Sequence, residues 1–133
     1  MKAVKASVTR ALQVGARIDP CDNSGAKQVQ IISVKGHKTD KRKRSAGGVG
    51  DLVTVSVTKG KSDMRKQVML AVIVRQKKEY RRPDGMRIKF EDNSVILLKD
   101  DKGNVKGTIF KGPIAKEAAE RWPTISKVAS IVV

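Results

Sequence analysis

Short runs of alternating apolar and polar residues, separated by turn clusters, make up most of this chain. Leu12 to Ile18 reads as a first strand, closed by Asp19-Pro20 and by Asp22-Asn23-Ser24-Gly25. Lys27 to Lys35 reads as a second. In it Val29 and Ile31 share one phase and Ile32 and Val34 the other. That slip predicts a β-bulge or bend near Ile31, of the kind that helps a sheet curl. Val53, Val55 and Val57 alternate with Thr54, Ser56 and Thr58 in a third strand. Gln67 to Val74 is a fourth, and its unbroken apolar run fits a central position. Met86, Ile88 and Phe90 alternate with Arg87 and Lys89 in a fifth. Val95–Leu98 and Val105–Phe110 predict a further hairpin around Asp101-Lys102-Gly103-Asn104. Many short strands with Gly-rich turns argue for a sandwich or a barrel, and a small closed barrel removes free edges.

The period changes towards the carboxyl end. Gly112-Pro113 suits a helix start, because proline is tolerated in the first helical turn. Ile114, Ala118 and Trp122 lie four apart, and Glu117 and Arg121 form an i,i+4 pair. Pro123 ends this helix. Ile125, Val128, Ala129 and Val132 then repeat at helical spacing, while Ile131 to Val133 are all β-branched and suit an extended end equally well.

Charge changes the picture most. The 133 residues carry 29 Lys and Arg against 13 acids, a formal net charge of +16. Such an excess repels itself in the compact state and favours an anionic partner. The length and the absence of a low-complexity linker predict one domain over residues 1–133. Two basic clusters stand out. Lys35, Lys38, Lys41, Arg42, Lys43 and Arg44 fall in a loop between the second and third strands, against the single acid Asp40. Arg75, Lys77, Lys78, Arg81, Arg82, Arg87 and Lys89 lie on a hairpin arm turned by Pro83-Asp84-Gly85. Lys27, beside the Asp22–Gly25 turn, joins this candidate RNA-binding set. Guanidinium forks match phosphate geometry and lysines supply point charge. Aromatic residues are only 3% of the chain. Phe90, Phe110 and Trp122 fit a core, leaving Tyr80 alone near the arm. Few stacking platforms imply contacts to phosphate and sugar, reading RNA shape over base identity.

Other chemistries find little support. Cys21 is the single cysteine and reads as a small, partly buried side chain; no internal disulfide can form. One Cys and one His, His37, cannot assemble a structural zinc site, and no cofactor motif is present. Gly60-Lys61-Ser62 resembles the end of a phosphate-binding loop, but Val55 stands where its first glycine belongs. The amino terminus lacks an apolar core of signal-peptide length, and the longest apolar run, Val68 to Val74, is too short to span a bilayer. The residues alone therefore read as a small, mostly β, cytosolic RNA-binding module without catalysis or membrane attachment. A free RNA-processing or regulatory protein with a similar barrel is the competing class. A nuclease is disfavoured by the lack of paired histidines or clustered carboxylates.

The stretch AVIVRQKKEYRRPDGMRIKFEDNSVILL resembles the signature region of the large-subunit ribosomal protein fourteen family. DNSGAK at 22–27, GGVGD at 47–51 and GTIFKGPIAKE at 107–117 match in the same order. The resemblance runs from about Leu12 to the end, and the longer amino terminus is closer to the archaeal and eukaryotic branch. Ile96 departs from the usual Val, a conservative change. The resemblance implies a five-stranded barrel with an added hairpin and a helical carboxyl end, acting as a structural constituent of the cytoplasmic ribosome. It further implies contacts to large-subunit RNA, to neighbouring ribosomal proteins and to small-subunit RNA through a bridge, and a surface for the anti-association initiation factor six. On that reading Glu117, Glu120, Arg121 and Lys127 form an outer face that meets protein partners.

Overall fold

Five strands close on themselves to make a barrel, and the remaining chain covers its wall and ends. The computed structural model describes residues 1–4 and 6–133. The strands are β1 (Leu12–Gln13), β2 (Arg17–Pro20), β3 (Ala26–Val34), β4 (Ala46–Gly47), β5 (Leu52–Gly60), β6 (Val68–Arg75), β7 (Tyr80–Arg81), β8 (Arg87–Ile88) and β9 (Ser94–Leu98). Two short helices follow, α1 (Lys116–Arg121) and α2 (Pro123–Val128). The barrel order is β2-β3-β5-β6-β9, with β9 returning to β2. That last pair is parallel and the other four are antiparallel.

Alternation builds the wall as expected. Val53, Val55 and Val57 of β5 are buried while Thr54, Ser56 and Thr58 are not. The phase slip in β3 is real: its register against β5 shifts between Ile31 and Ser33, leaving Ile32 exposed. In β6 the run Ala71 to Val74 is buried on both faces, because α1 packs over the outside and the Ala115 amide bonds to the Val74 carbonyl at 3.2 Å. The unbroken apolar run thus reports a covered wall and not a middle place in an open sheet.

The structure corrects several boundaries. The first strand is broken at Gly15, whose φ of +93° turns the chain. Leu12–Gln13 leaves to pair with β4, and Arg17–Pro20 alone joins the barrel. The fifth barrel strand is Ser94–Leu98. Met86–Phe90 contributes only Arg87–Ile88, paired with Tyr80–Arg81 in a separate ribbon. Its alternation is genuine, but it records packing on the body: Ile88 and Phe90 rest against the core and Met86 faces solvent. Val105–Phe110 is not a strand. Val105 bridges Leu98, and the Asn23 side-chain oxygen accepts the amides of Thr108 and Ile109 at 2.8 and 3.3 Å, replacing a ladder.

At the carboxyl end, α1 starts later than Pro113. Ile114 is extended instead, its amide bonding to the Ile131 carbonyl and its carbonyl accepting the Val133 amide, both at 2.9 Å. Residues 131–133 therefore take the extended alternative, and α2 stops at Val128. Pro123 ends α1 and opens α2 from its first turn. Between helices and barrel lies a core of Ile114, Ala115, Ala118, Ala119, Trp122 and Ile125. The Trp122 indole N–H donates to the Gly50 carbonyl at 2.9 Å, and a Cβ on Gly103 would stand 2.8 Å from the ring. Trp122 thereby ties three segments together, so Trp122→Ala should cost about 3–5 kcal/mol. Urea unfolding of the variant is the check, and a loss well under that range would mean the helices contribute little to the barrel.

Candidate nucleic-acid interface

The basic loop is built as the charge pattern requires. Lys35, Lys38, Lys41, Arg42, Lys43 and Arg44 are all exposed, and none is in a salt bridge. The roots of the loop are fastened. Ser45 Oγ donates to the His37 carbonyl at 3.0 Å, and the His37 Nδ1 lies 2.9 Å from the Ala46 carbonyl and 3.1 Å from its amide. His37 is thus a hinge post for the loop. The tip carries Arg42 at φ +67°, a conformation a non-glycine residue holds only with support.

The hairpin arm divides into two kinds of cation. Lys77, Lys78, Arg81, Arg87 and Lys89 are exposed, with Arg87 loosely paired to Glu79 at 3.4 Å. Lys27 is exposed as well. Arg75 and Arg82 are not of this kind. Arg75 is 8% exposed. Its Nε and Nη2 grip the two Asp92 oxygens at 2.9 and 3.1 Å, and Nη1 donates to the Lys111 and Pro113 carbonyls, each at 2.9 Å. Gly112 is required beside it, since φ is +79° and a Cβ would stand 2.5 Å from Nη1. Four donors are committed internally, so Arg75 belongs to the scaffold and leaves the phosphate-facing set.

Arg82 is spent on Glu117. Its Nε meets Oε1 at 2.8 Å, its Nη2 meets Oε2 at 3.4 Å, and Nη2 also donates to the Val133 carbonyl at 2.6 Å. The Tyr80 hydroxyl donates to Glu117 Oε2 at 2.8 Å. Glu117 is only 4% exposed, which removes it from the outer partner face. The i,i+4 pair of the helix is also different: Lys116 meets Glu120 at 3.8 Å, while Arg121 reaches Asp51 at 3.1 Å. A helix surface offers several partners at similar spacing, and the turn before β5 presents Asp51 closer. Glu120 and Lys127 stay exposed and Arg121 is half-buried. Tyr80 is 1% exposed, so the arm has no aromatic platform.

Two features escaped the sequence reading. Gln76 is fully buried and joins three segments: its Oε1 accepts the Val49 amide at 3.1 Å, and its Nε2 donates to the Thr9 and Lys78 carbonyls at 3.2 and 2.9 Å. Nothing local marks such a residue. Lys59, Lys61, Arg65 and Lys66 are all exposed at the β5–β6 turn. Their density within eight positions, against the single acid Asp63, was a readable signal. Cys21 is buried beyond expectation, and burial pushes its thiol up, which suits a packing role.

Comparison with known proteins points to one ribosomal protein family. The family model described as ribosomal protein L14p/L23e matches residues 11–133. The large ribosomal subunit protein uL14 of Nanoarchaeum equitans is 60% identical over 133 residues, covering 100% of both chains. The protein of the same name from Methanococcus maripaludis is 51% identical over 132 residues, 99% of each.

The Tyr80–Glu117 bond has a measurable signature. Burial raises the phenol above its ordinary value of 10.0, and the hydrogen bond and charge of Glu117 raise it further. A raised folded-state pKa contributes stability that is whole below pH 10 and is lost as pH climbs toward the folded value. Tyr80→Phe keeps the ring and should cost about 1–2 kcal/mol near neutral pH. In urea unfolding, the gap between wild type and variant should hold up to about pH 9 and narrow from there to about pH 11. A gap that widens over that span would put the hydroxyl outside a buried charge network.

Proposed function

The chain belongs to the L14p/L23e family of ribosomal proteins, and on that premise we propose that it is a structural, non-catalytic constituent of the large subunit of the cytoplasmic ribosome. It holds large-subunit RNA through the loop 35–44 and the exposed cations of the hairpin arm. The observation that carries this reading is the loop itself: six exposed cations without a salt bridge, on roots that are hydrogen-bonded in place. A solvated decoration needs no such fastening, whereas a phosphate-binding surface gains from being ordered beforehand. Binding is electrostatic, because the aromatic side chains are core or half-buried. With about six phosphates neutralised, affinity for a ribosomal RNA fragment should fall on the order of a thousandfold between roughly 50 and 200 mM salt. Reversing Lys41, Arg42, Lys43 and Arg44 to Glu should abolish most of that salt dependence and impair incorporation into large subunits, with the barrel still folded by circular dichroism. Normal incorporation of the folded variant would remove the loop from the RNA surface.

The carboxyl end is proposed as the partner side, facing neighbouring ribosomal proteins, the bridge to small-subunit RNA and the anti-association initiation factor. Its support is electrical. Glu117 is neutralised by Arg82 and Arg121 by Asp51, so α1 and α2 show solvent a nearly balanced surface of Lys116, Glu120 and Lys127. Such a face neither attracts nor repels RNA strongly. Exchanging Glu120 to Lys and Lys127 to Glu should weaken subunit joining, measured by sedimentation of reassociated particles, while RNA affinity changes less than about threefold. A loss of RNA affinity matching that of the loop reversal, with joining intact, would merge the two sides into one.

A further inference from the structure

His37 holds one ring nitrogen between two backbone groups that ask opposite things of it. Nδ1 lies 2.9 Å from the Ala46 carbonyl oxygen and 3.1 Å from the Ala46 amide nitrogen. A bare Nδ1 accepts the amide, whereas a protonated Nδ1 donates to the carbonyl. Each contact excludes the other. The ladder between β1 and β4 shows which one the neutral ring makes. Bonded and non-bonded pairs alternate in antiparallel strands. The Val14 amide bonds to the Ser45 carbonyl at 3.1 Å, so Gln13 and Ala46 form a non-bonded pair and the Ala46 amide turns away from β1. Ala46 is buried, and a buried amide goes unpaired less readily than a carbonyl. The neutral ring therefore accepts the amide. An imidazolium carries hydrogen on both nitrogens and is left with the carbonyl alone.

The charge around the ring is one-sided. His37 lines a cleft of about 680 Å³ between the amino-terminal segment, the root of the loop and the end of α1. Arg10 faces it from the amino-terminal segment, Lys35 from its own segment, Asp51 from the turn before β5 and Arg121 from α1. Lys38 adjoins it in the chain, and Arg44 returns two residues before Ala46. Asp51 is already occupied: its Oδ1 meets Arg121 at 3.1 Å and its Oδ2 accepts the Gly48 amide at 2.8 Å. Arg10, Lys35, Lys38 and Arg44 are exposed and, among the described residues, in no salt bridge. These cations oppose a further charge on the ring, and a phosphate among them reverses that opposition. The Nε2 of His37 has no hydrogen-bond partner among the described residues and is not sealed off, so it is open to solvent or to a ligand.

We propose that His37 couples phosphate binding at the loop 35–44 to the uptake of one proton. The coupling rests on the RNA-binding reading above and adds its regulation by pH. In the neutral state the ring accepts the Ala46 amide. As an RNA phosphate settles among the cations, the ring takes a proton from the buffer. Nδ1 then exchanges the amide for the carbonyl, and the Nε2 hydrogen becomes a further donor beside the phosphate. Linkage is reciprocal: the proton favours the phosphate as much as the phosphate favours the proton. RNA affinity therefore rises as pH falls through the range in which imidazoles gain their charge, from about pH 8 to about pH 5.

The test is titration calorimetry of the full chain with a large-subunit RNA fragment at constant low salt. It is run across the imidazole range in pairs of buffers that differ in ionisation enthalpy, which counts the protons taken up. The wild type should bind about tenfold more tightly at the acid end than at the alkaline end, with uptake approaching one proton between them. His37→Asn keeps a short side chain that can meet the Ala46 amide and carries no charge. It should match the wild type at the alkaline end, keep that affinity at every pH and take up no proton, with circular dichroism confirming its fold. In the RNA-free wild type, the nuclear magnetic resonance signal of the Ala46 amide should shift with falling pH as its acceptor is lost. A wild type that binds RNA without proton uptake, or with the same pH profile as His37→Asn, overturns the coupling and leaves the RNA-binding reading standing. Proton uptake with an unmoved Ala46 signal overturns the exchange of contacts. A wild type that binds no RNA at any pH overturns the RNA-binding reading as well.

Discussion

The parallel pairing of β2 with β9 is the constraint on which the rest of the molecule depends. Without it the other four pairings make an open, curled sheet with two bare edges, a template for unwanted association. Only two residue pairs form the seam, Asp19 with Ser94 and Pro20 with Val95. Side chains extend it. Ser94 Oγ donates to the Asp19 carbonyl at 3.0 Å, and the Cys21 amide reaches the Val95 carbonyl at 3.0 Å. Where β2 has no more backbone to offer, Asp22 takes over: its Oδ2 accepts the Leu97 amide at 3.0 Å, and its Oδ1 accepts the Ser24 hydroxyl at 2.7 Å. The carboxylate behaves as one further rung. Because the seam joins residues far apart in the chain, it is an entropically late event in folding, rewarded only after β3, β5 and β6 are in place.

Closure fixes where each loop leaves the wall, and a set of buried polar ties then fixes how each loop stands. Arg75 with Asp92, and Gln76 with the Thr9 and Lys78 carbonyls and the Val49 amide, lie at the root of the hairpin arm, while Arg82 with Glu117 pins the arm beside its turn. Such pairs lose much of their Coulomb gain to desolvation and are weak evidence of net stability. Their directionality is the better account of their presence. An apolar root would let the arm swivel, whereas a guanidinium gripping both oxygens of Asp92 and two carbonyls admits one orientation. Every buried side-chain N or O among the described residues has a partner, so this polar root leaves no group stranded.

The excess charge is then sorted by the same frame. Arg75, Arg82 and Arg121 are consumed in ties to carboxylates, while the loop 35–44 and the β5–β6 turn, at opposite ends of the β3–β5 ribbon, carry exposed cations. A wall of Thr, Ser and Gln separates them. A net charge of +16 makes the isolated chain repel itself. Placing that charge on ordered loops at the ends keeps it clear of the β3–β5 wall and ready for a polyanion.

Much of this was legible in the chain. Period-two alternation is imposed by the pleat of the backbone, a local property, so β3, β5 and β6 and even the slip at Ile31 could be read directly. The loop 35–44 was legible for a similar reason: six cations without an apolar neighbour have nowhere to go but outward. What sequence could not supply was partnership. Met86–Phe90 and Ser94–Leu98 both look like strands, and only closure onto β2 selects the second. Arg75 and Arg82 look like Arg81 and Arg87 until Asp92 and Glu117 are brought beside them from 17 and 35 residues away. Glu117 looked like a solvent-facing helix residue until Tyr80 and Arg82 covered it. Local spacing determines which way a side chain leaves the backbone; whether a charge then meets water, a phosphate or a buried counter-ion depends on segments that only the tertiary fold assembles.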